Sequence, residues 1–483
     1  MHRGAMFQFF EWYRKPDGTL WSELAAEAGH LAEAGITALW LPPPYKGFGG
    51  KKDNGYGVYD LYDLGEFDQK GTVRTKYGTR EQLLEAITAA QNAGMHVYAD
   101  VVFNHRMGGD DTEEVEIEEI DWHHRNEVIS DPYTIRAWSH YTFPGRGERY
   151  SPLRLHWYHF TAFGANADDP EPDERKIYKV VDKSFAGEIL LEYGAHDYLM
   201  GASTDLSHPE VRDDLFHWGR WFHDLAGVNG LRLDAVKHMP ATFIREWVEH
   251  VREHAGEKEL FTVAEYWSGH LEELKEYLEL TQRTIALFDV PLHFNFSTAS
   301  KEGREFDLRT IFDNTLIADD PAMAVTFVDN HDSQPGQALE SWVQDWFKPH
   351  AYALILLREA GYPCIFYGDY YGNDSRDHPL TSHRMLIDAF LEARRSHAWG
   401  ECHDYFDQPD CIGWVWTGDD EHGPMAVLMS NAETASKRMA IPGGPHTLHD
   451  VTGHIDEPIT TDEHGEAEFT CPPGQISVWC PRR

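Results

Sequence analysis

The segment Gly230–His238 constrains the fold more than any other. It begins as a short apolar strand and carries Arg232 and Asp234 two residues apart, on one face of that strand. An inward-facing arginine and aspartate must satisfy each other or meet a ligand, because an unpaired buried charge is costly. Taken alone, the segment is equally well explained by a structural ion pair. Two further segments repeat the arrangement. Residues 261–267 close an apolar run with Glu265 and Trp267, and residues 325–332 close one with Asp329, Asn330, His331 and Asp332. Reactive groups at the C-terminal ends of parallel strands are what a β/α barrel gathers at its active face.

Strand-length apolar runs at 5–10, 36–41 and 95–102 alternate with helical periodicity at 21–34 and 79–93. Gly35 stands where a helix C-cap is expected, and Thr79 where an N-cap is. The alternation implies a parallel sheet with right-handed crossovers. From His105 to His208 it stops, which is too long for a plain loop. The expected fold is therefore a (β/α)8 barrel, residues 1–104 and 208–398, with an irregular β-rich domain, residues 105–207, inserted after the third strand. The acidic run 110–121 within the insert reads as a solvated face. Helices are expected at 209–226, 241–255, 271–280 and 342–360, and strands at 284–290 and 363–367. Short runs broken by Gly, Pro and Asp after residue 399 predict an antiparallel β-sandwich, residues 399–483.

Charge narrows the partners. With 81 acids against 42 bases, the net charge is −39, which argues against nucleic acid and anionic membrane surfaces. Self-repulsion of that size needs screening, so a high-salt cytoplasm is the expected setting. No apolar run is long enough for a membrane span, and the first ten residues lack an apolar signal core. Five cysteines, Cys364, Cys402, Cys411, Cys471 and Cys480, match no disulfide framework or zinc spacing and read as buried thiols.

With the order in place, a family resemblance emerges. Residues 9–13, 55–60, 100–105, 230–238, 263–267 and 327–332 make the chain similar, nearly end to end, to the alpha-amylases of glycoside hydrolase family 13, nearest the liquefying bacterial type. The resemblance implies a retaining α-1,4-glucan hydrolase. Asp234 would be the nucleophile, Glu265 the general acid/base and Asp332 the third carboxylate. The residues alone do not prefer Asp332 over Asp329. Arg232 would hold Asp234 ionised, while His105 and His331 would hydrogen-bond the cleaved sugar. Tyr56 would stack on that sugar, and Lys237, His238 and Trp267 would contact the leaving side. Packed beside other acids and Trp267, Glu265 should resist ionising. Tyr56 and Trp267 as packing, and Lys237 as a surface ion pair, are the plain alternatives.

The resemblance also implies calcium between insert and barrel. Here Asn104, Asp197 and the His238 carbonyl match the implied ligands, but Thr161, Ala186 and Ser203 stand where the relatives carry aspartate. Losing three carboxylates should weaken a hard, oxygen-rich site, so no cofactor is expected. A site rebuilt from Asp168, Asp169 or Asp182 is the alternative. A maltooligosaccharide hydrolase or transglycosidase is the rival activity, and a non-catalytic carbohydrate-binding protein the rival class. A monomer is expected. The charge argument has a direct check: thermal unfolding should move to higher temperature as potassium chloride is added, and a flat response removes the high-salt reading.

Overall fold

The computed structural model describes residues 4–171, 173, 175–187, 197–256 and 260–482. Eight parallel strands close into a barrel: β1 Met6–Gln8, β2 Ala38–Leu41, β3 His96–Val101, β4 Gly230–Leu233, β5 Phe261–Ala264, β6 Ala286–Phe288, β7 Ala324–Phe327 and β8 Tyr362–Phe366. Each strand pairs with its neighbours in sequence, and β1 closes the ring against both β2 and β8. Most of these strands are buried throughout, because helices cover the outside while side chains fill the inside.

The helices form where sequence punctuation directs. Leu20–Ala34 ends on Gly35 at φ 108°, a left-handed position that suits glycine. Thr79 caps Arg80–Asn92 reciprocally, its hydroxyl accepting from the Gln82 N–H while Gln82 Oε1 accepts from the Thr79 N–H. Pro209–Ala226 buries Leu215, Trp218 and Phe222, and Ala241–Ala255 buries Ile244, Trp247 and Val251. These two faces meet with the Trp218 and Trp247 rings stacked at 6.2 Å, and Trp247 Nε1 donates to the Leu215 carbonyl.

The insert is a six-stranded antiparallel sheet in the order His105–Arg106, Ala202–Thr204, Phe160–Phe163, Ile177–Val180, Asp111–Ile120, Tyr133–His140. The acidic run is thus a regular strand: Val115, Ile117 and Ile120 turn inward while most of its acids stay at least partly exposed. Beyond the barrel lie two antiparallel sheets, one of six strands and one pairing Ala435–Ala440 with Glu466–Cys471. Their inner faces share one core, in which Trp479, Leu428 and Val415 meet Met439 and Phe469. Four of the five free cysteines are buried, while Cys402 is half-buried. No helix among the described residues is long and apolar enough to cross a membrane.

Two expected elements are shorter than the sequence suggested. The helix expected at 342–360 runs only Lys348–Leu356, with Pro349 in its first turn, where a missing N–H is harmless. The strand expected at 284–290 stops at Phe288. Asp289 then caps helix Val290–Glu302, its carboxylate accepting from the Leu292, Leu316 and Ile317 N–H groups.

Behind the end of β7 sits a buried charge cluster. Lys348 Nζ donates to Asp329 Oδ2 at 2.8 Å and to Asp369 Oδ1, and Tyr352 donates to Asp369 Oδ2 at 2.6 Å. Burial, reinforced by Asp369, pushes the Asp329 carboxyl up to about 7 against the pull of Lys348. Removing the lysine leaves two buried carboxylates with only neutral donors, Ser333, the Val343 N–H and Tyr352. Lys348→Met should therefore cost about 3–5 kcal/mol of unfolding free energy at neutral pH. Because a raised carboxyl is already protonated in the folded state at low pH, that deficit should shrink as pH falls below about 7. Denaturant titrations at two pH values check both the size and the sign.

Candidate active site

Three strand ends converge at the C-terminal mouth of the barrel. In register, Arg232 of β4 lies opposite Asp100 of β3 and Val263 of β5. The chain leaves β4 through Asp234, whose N–H donates to the Val101 carbonyl, and Glu265 leaves β5 with its N–H on the Leu233 carbonyl. Ala235 then adopts φ 50°, ψ 40°, a left-handed conformation unfavourable for a side chain bearing Cβ, which turns the backbone sharply after Asp234.

The Arg232 guanidinium is fully buried and serves three acids. Nη1 donates to Asp234 Oδ1 at 2.6 Å and to both oxygens of Asp100 at 3.0 and 3.1 Å, while Nη2 donates to Glu265 Oε2 at 2.5 Å. Asp234 and Glu265 are thereby tied to the two amino groups of one planar cation, within a few ångströms of each other. The arginine does not serve Asp234 alone, as the sequence suggested. Its Cζ lies 4.9 Å from the Trp40 ring centre. Asp100 also accepts from Trp40 Nε1 at 2.9 Å and from the Tyr56 hydroxyl at 2.8 Å.

Burial raises the Glu265 carboxyl well above the ordinary range, and the charges of Asp234 and Asp332 raise it further while Arg232 opposes them. Asp332 is pushed up to about 7, again first by burial, with Asp234 and Asp100 adding to the effect and Arg232 opposing. Burial likewise lifts Asp100 to about 6. One guanidinium cannot neutralise four neighbouring acids, so protons must be held among them at neutral pH.

The histidines complete the floor. His331 Nδ1 lies 3.0 Å from Gln8 Nε2, its Nε2 lies 3.3 Å from Asp332 Oδ2, and its ring stacks on Tyr56 at 4.9 Å and 13°. His105 Nε2 meets the Tyr56 carbonyl at 2.7 Å, while its buried Nδ1 has no protein partner. Burial pushes both imidazoles down, so they are neutral at pH 7. Tyr56 is half-buried, with Trp12 near-parallel to it at 6.0 Å. Lys237 Nζ donates to the Trp267 carbonyl at 3.1 Å. The Trp267 ring is 8% exposed and packs against His293, Phe294 and Phe327. His238 is buried, and its carbonyl accepts from Asn104 Nδ2 at 3.1 Å.

Sequence reasoning passed over Asp100, Trp40, Trp12 and Gln8 as site residues. Asp100 had a usable signal, being the one acid on a strand adjoining β4, but a strand interior conceals cross-strand register.

Between insert and barrel, Thr161, Ala186, Asp197 and Asp205 line a cleft of about 310 Å³. Asn104 turns its NH2 toward the Asp197 and His238 carbonyls, and Asp197 Oδ2 accepts from the Ala186 N–H at 2.7 Å. Lys183 Nζ already neutralises Asp205 at 2.5 Å and also reaches the Tyr158 carbonyl. Asp168 and Asp169 face Arg136 and Lys176 instead. Calcium needs six to eight oxygens with several anionic ones, and among the described residues this donor set fits it poorly.

A family model described as the alpha amylase catalytic domain matches residues 24–393. The chain is 50% identical to an alpha-amylase of Geobacillus stearothermophilus, covering 99% of this chain and 87% of that protein. It is 45% identical to a glucan 1,4-alpha-maltohexaosidase of Bacillus sp. strain 707, covering 99% and 92%. It is 42% identical to a cytoplasmic alpha-amylase of Escherichia coli K12, covering 99% of both. Among solved structures, an alpha-amylase of Geobacillus thermoleovorans complexed with acarbose superposes with a TM-score of 0.64 at 19% identity, covering 100% and 98%, a likeness of fold.

The position of Asp100 yields a test. Asp100→Asn removes the charge that anchors Arg232 from behind but leaves the sugar-facing groups intact. It should lower kcat about 10- to 100-fold, the worth of one hydrogen bond to a charged group, with a smaller change in KM. Steady-state kinetics on a soluble maltooligosaccharide checks this, and an unchanged kcat removes the anchoring role.

Proposed function

The chain belongs to the alpha-amylase family, and from that premise we infer that it is an endo-acting, retaining hydrolase of α-1,4-glucans such as starch, glycogen or maltodextrins. The single observation that carries the mechanism is the shared guanidinium: Arg232 holds Asp234 and Glu265 side by side at the mouth of one barrel. Retaining cleavage uses two carboxyl groups at bonding distance from one anomeric centre, one ionised and one protonated. Asp234, tied to Arg232, attacks the anomeric carbon as its bond to the leaving oxygen breaks. Glu265, whose proton is retained by burial and by neighbouring negative charge, gives that proton to the leaving oxygen. A covalent glycosyl–Asp234 ester results. Glu265, now ionised, takes a proton from water as the water oxygen attacks the same carbon, which releases Asp234 and restores the acid.

Asp332 and His331 act together on the sugar hydroxyls, and the unpartnered His105 Nδ1 offers a further hydrogen bond to the sugar at the cleavage point. Tyr56 provides a ring face, and Lys237, His238 and Trp267 border the leaving side. A maltooligosaccharide hydrolase is the second reading, supported by the maltohexaosidase among the relatives. Product lengths from amylose separate the two. The name of the E. coli relative supports a cytoplasmic enzyme, and the charge balance supports a salt-adapted one.

No calcium is needed on this reading, since Lys183 supplies the charge opposite Asp205. Melting temperature and rate should survive exhaustive chelation, and a loss of both that calcium restores would overturn that view. The catalytic roles have their own test. Asp234→Asn and Glu265→Gln should each reduce starch cleavage at least about 10⁴-fold while the melting temperature stays near that of the parent. Activity should fall as pH rises through the elevated Glu265 carboxyl. Near-normal turnover in either variant contradicts the assignment.

A further inference from the structure

Outside the catalytic mouth, two histidine-containing clusters have ligand atoms close enough to share an ion: His159, His208 and Glu210, and His223, Asp224 and His254. Chemistry separates them. His159 Nδ1 accepts the His156 N–H at 3.0 Å, which leaves the ring proton on Nε2, donated to Glu210 at 2.9 Å. Its remaining nitrogen cannot ligate without breaking both bonds, so that cluster is a hydrogen-bonded one.

In the second cluster one hydrogen bond, between His254 Nε2 and Asp224 Oδ1, must give way to a metal, and both of its partners are solvent-facing. His223 and Asp224 occupy the last turn of Pro209–Ala226, and His254 the last turn of Ala241–Ala255. Asp224 Oδ1 lies 2.8 Å from His254 Nε2 and 3.8 Å from His223 Nδ1, and all three ligand atoms fall within 4.8 Å of one another. The His223 Nδ1 atom is buried and makes no hydrogen bond. His254 and Asp224 open to solvent, with 31% and 65% side-chain exposure, which leaves a path for an ion and room for a water ligand. A zinc ion bound at 2.0–2.1 Å to three such ligands sets their atoms roughly 3.3 Å apart. Reaching that spacing opens the 2.8 Å His254–Asp224 pair by about 0.5 Å and brings His223 Nδ1 about 0.5 Å closer to Asp224 than its 3.8 Å.

Two further features favour a cation there. Both helices end at this point, on Gly227 and Gly256, so the negative ends of two helix dipoles face the cluster. Two imidazoles and one carboxylate select zinc-class ions over calcium or magnesium. Arg220, which lines the same cleft, directs its Nη1 to His250 Nε2 at 3.1 Å.

We propose that His223, Asp224 and His254 form a binding site for a zinc-class divalent ion that staples two neighbouring barrel helices. Barrel helices run back from the active face, so the site lies at the opposite end of the barrel, where it affects stability and not turnover. The test uses the full chain with metal alone. Zinc chloride at 0.1 mM should raise the melting temperature by about 2–4 °C with kcat unchanged. Cobalt(II) should give the intense visible absorption of a tetrahedral site. His254→Gln and Asp224→Ala, both solvent-facing, should keep the metal-free melting temperature and lose both responses. No zinc shift and no cobalt band in the parent, or parent-like responses in His254→Gln, overturns the proposal.

Discussion

A buried guanidinium that must answer to more acids than it can neutralise is the constraint from which the rest of the site follows. Arg232 reaches Asp100, Asp234 and Glu265 with two amino groups, and its Nε lies buried without a partner. In the barrel interior such a charge is tolerable only when ringed by counter-charge. The surplus of acids, Asp332 included, then forces protons onto some of them, and Glu265, buried beside Asp234 and Asp332, is held well above the ordinary carboxyl range. In the proposed mechanism, acid and nucleophile are thus distinguished by environment and not by residue type. Trp40 fixes the arrangement from behind by facing the guanidinium and donating to Asp100.

The fold serves this by register. Parallel pairing sets β3, β4 and β5 side by side with their C-terminal ends level, so that Asp100, Arg232 and Glu265 meet although 132 and 33 residues separate Arg232 from its partners. The loop after β7 is held by Asn330, whose side chain accepts from the Asp332 and Ser333 N–H groups, and by Asp329 through Ser333. Asp329 is in turn locked by Lys348. The two aspartates that the sequence could not rank therefore divide the work: Asp332 faces the mouth while Asp329 anchors its loop from inside.

How much was legible follows the range of the interactions. Local signals read well: Thr79 and Gly35 as caps, and the helices 209–226, 241–255 and 271–280 from their apolar periodicity. The barrel and the sheet domains were readable from the alternation and its interruption. Short-range competition blurred the edges, as where Asp289 ends β6 by capping the next helix. What escaped was pairing across strands. Nothing in the sequence near Asp100 states that it lies opposite Arg232, and nothing in the acidic run 110–121 announces a ten-residue strand until its sparse apolar positions find a core. For Trp267, contact with the leaving side and packing were both open readings; its ring packs against Phe294 and its carbonyl holds Lys237.

The central claim is that Asp234 and Glu265, bridged by one guanidinium, cleave with retention through an ester on Asp234. Proton NMR of the first products from a maltooligosaccharide, recorded before mutarotation, tests it most directly. The account predicts that the new reducing ends appear as the α-anomer and only later equilibrate. New reducing ends that appear first as the β-anomer would mean direct attack by water from the opposite face, and would contradict it.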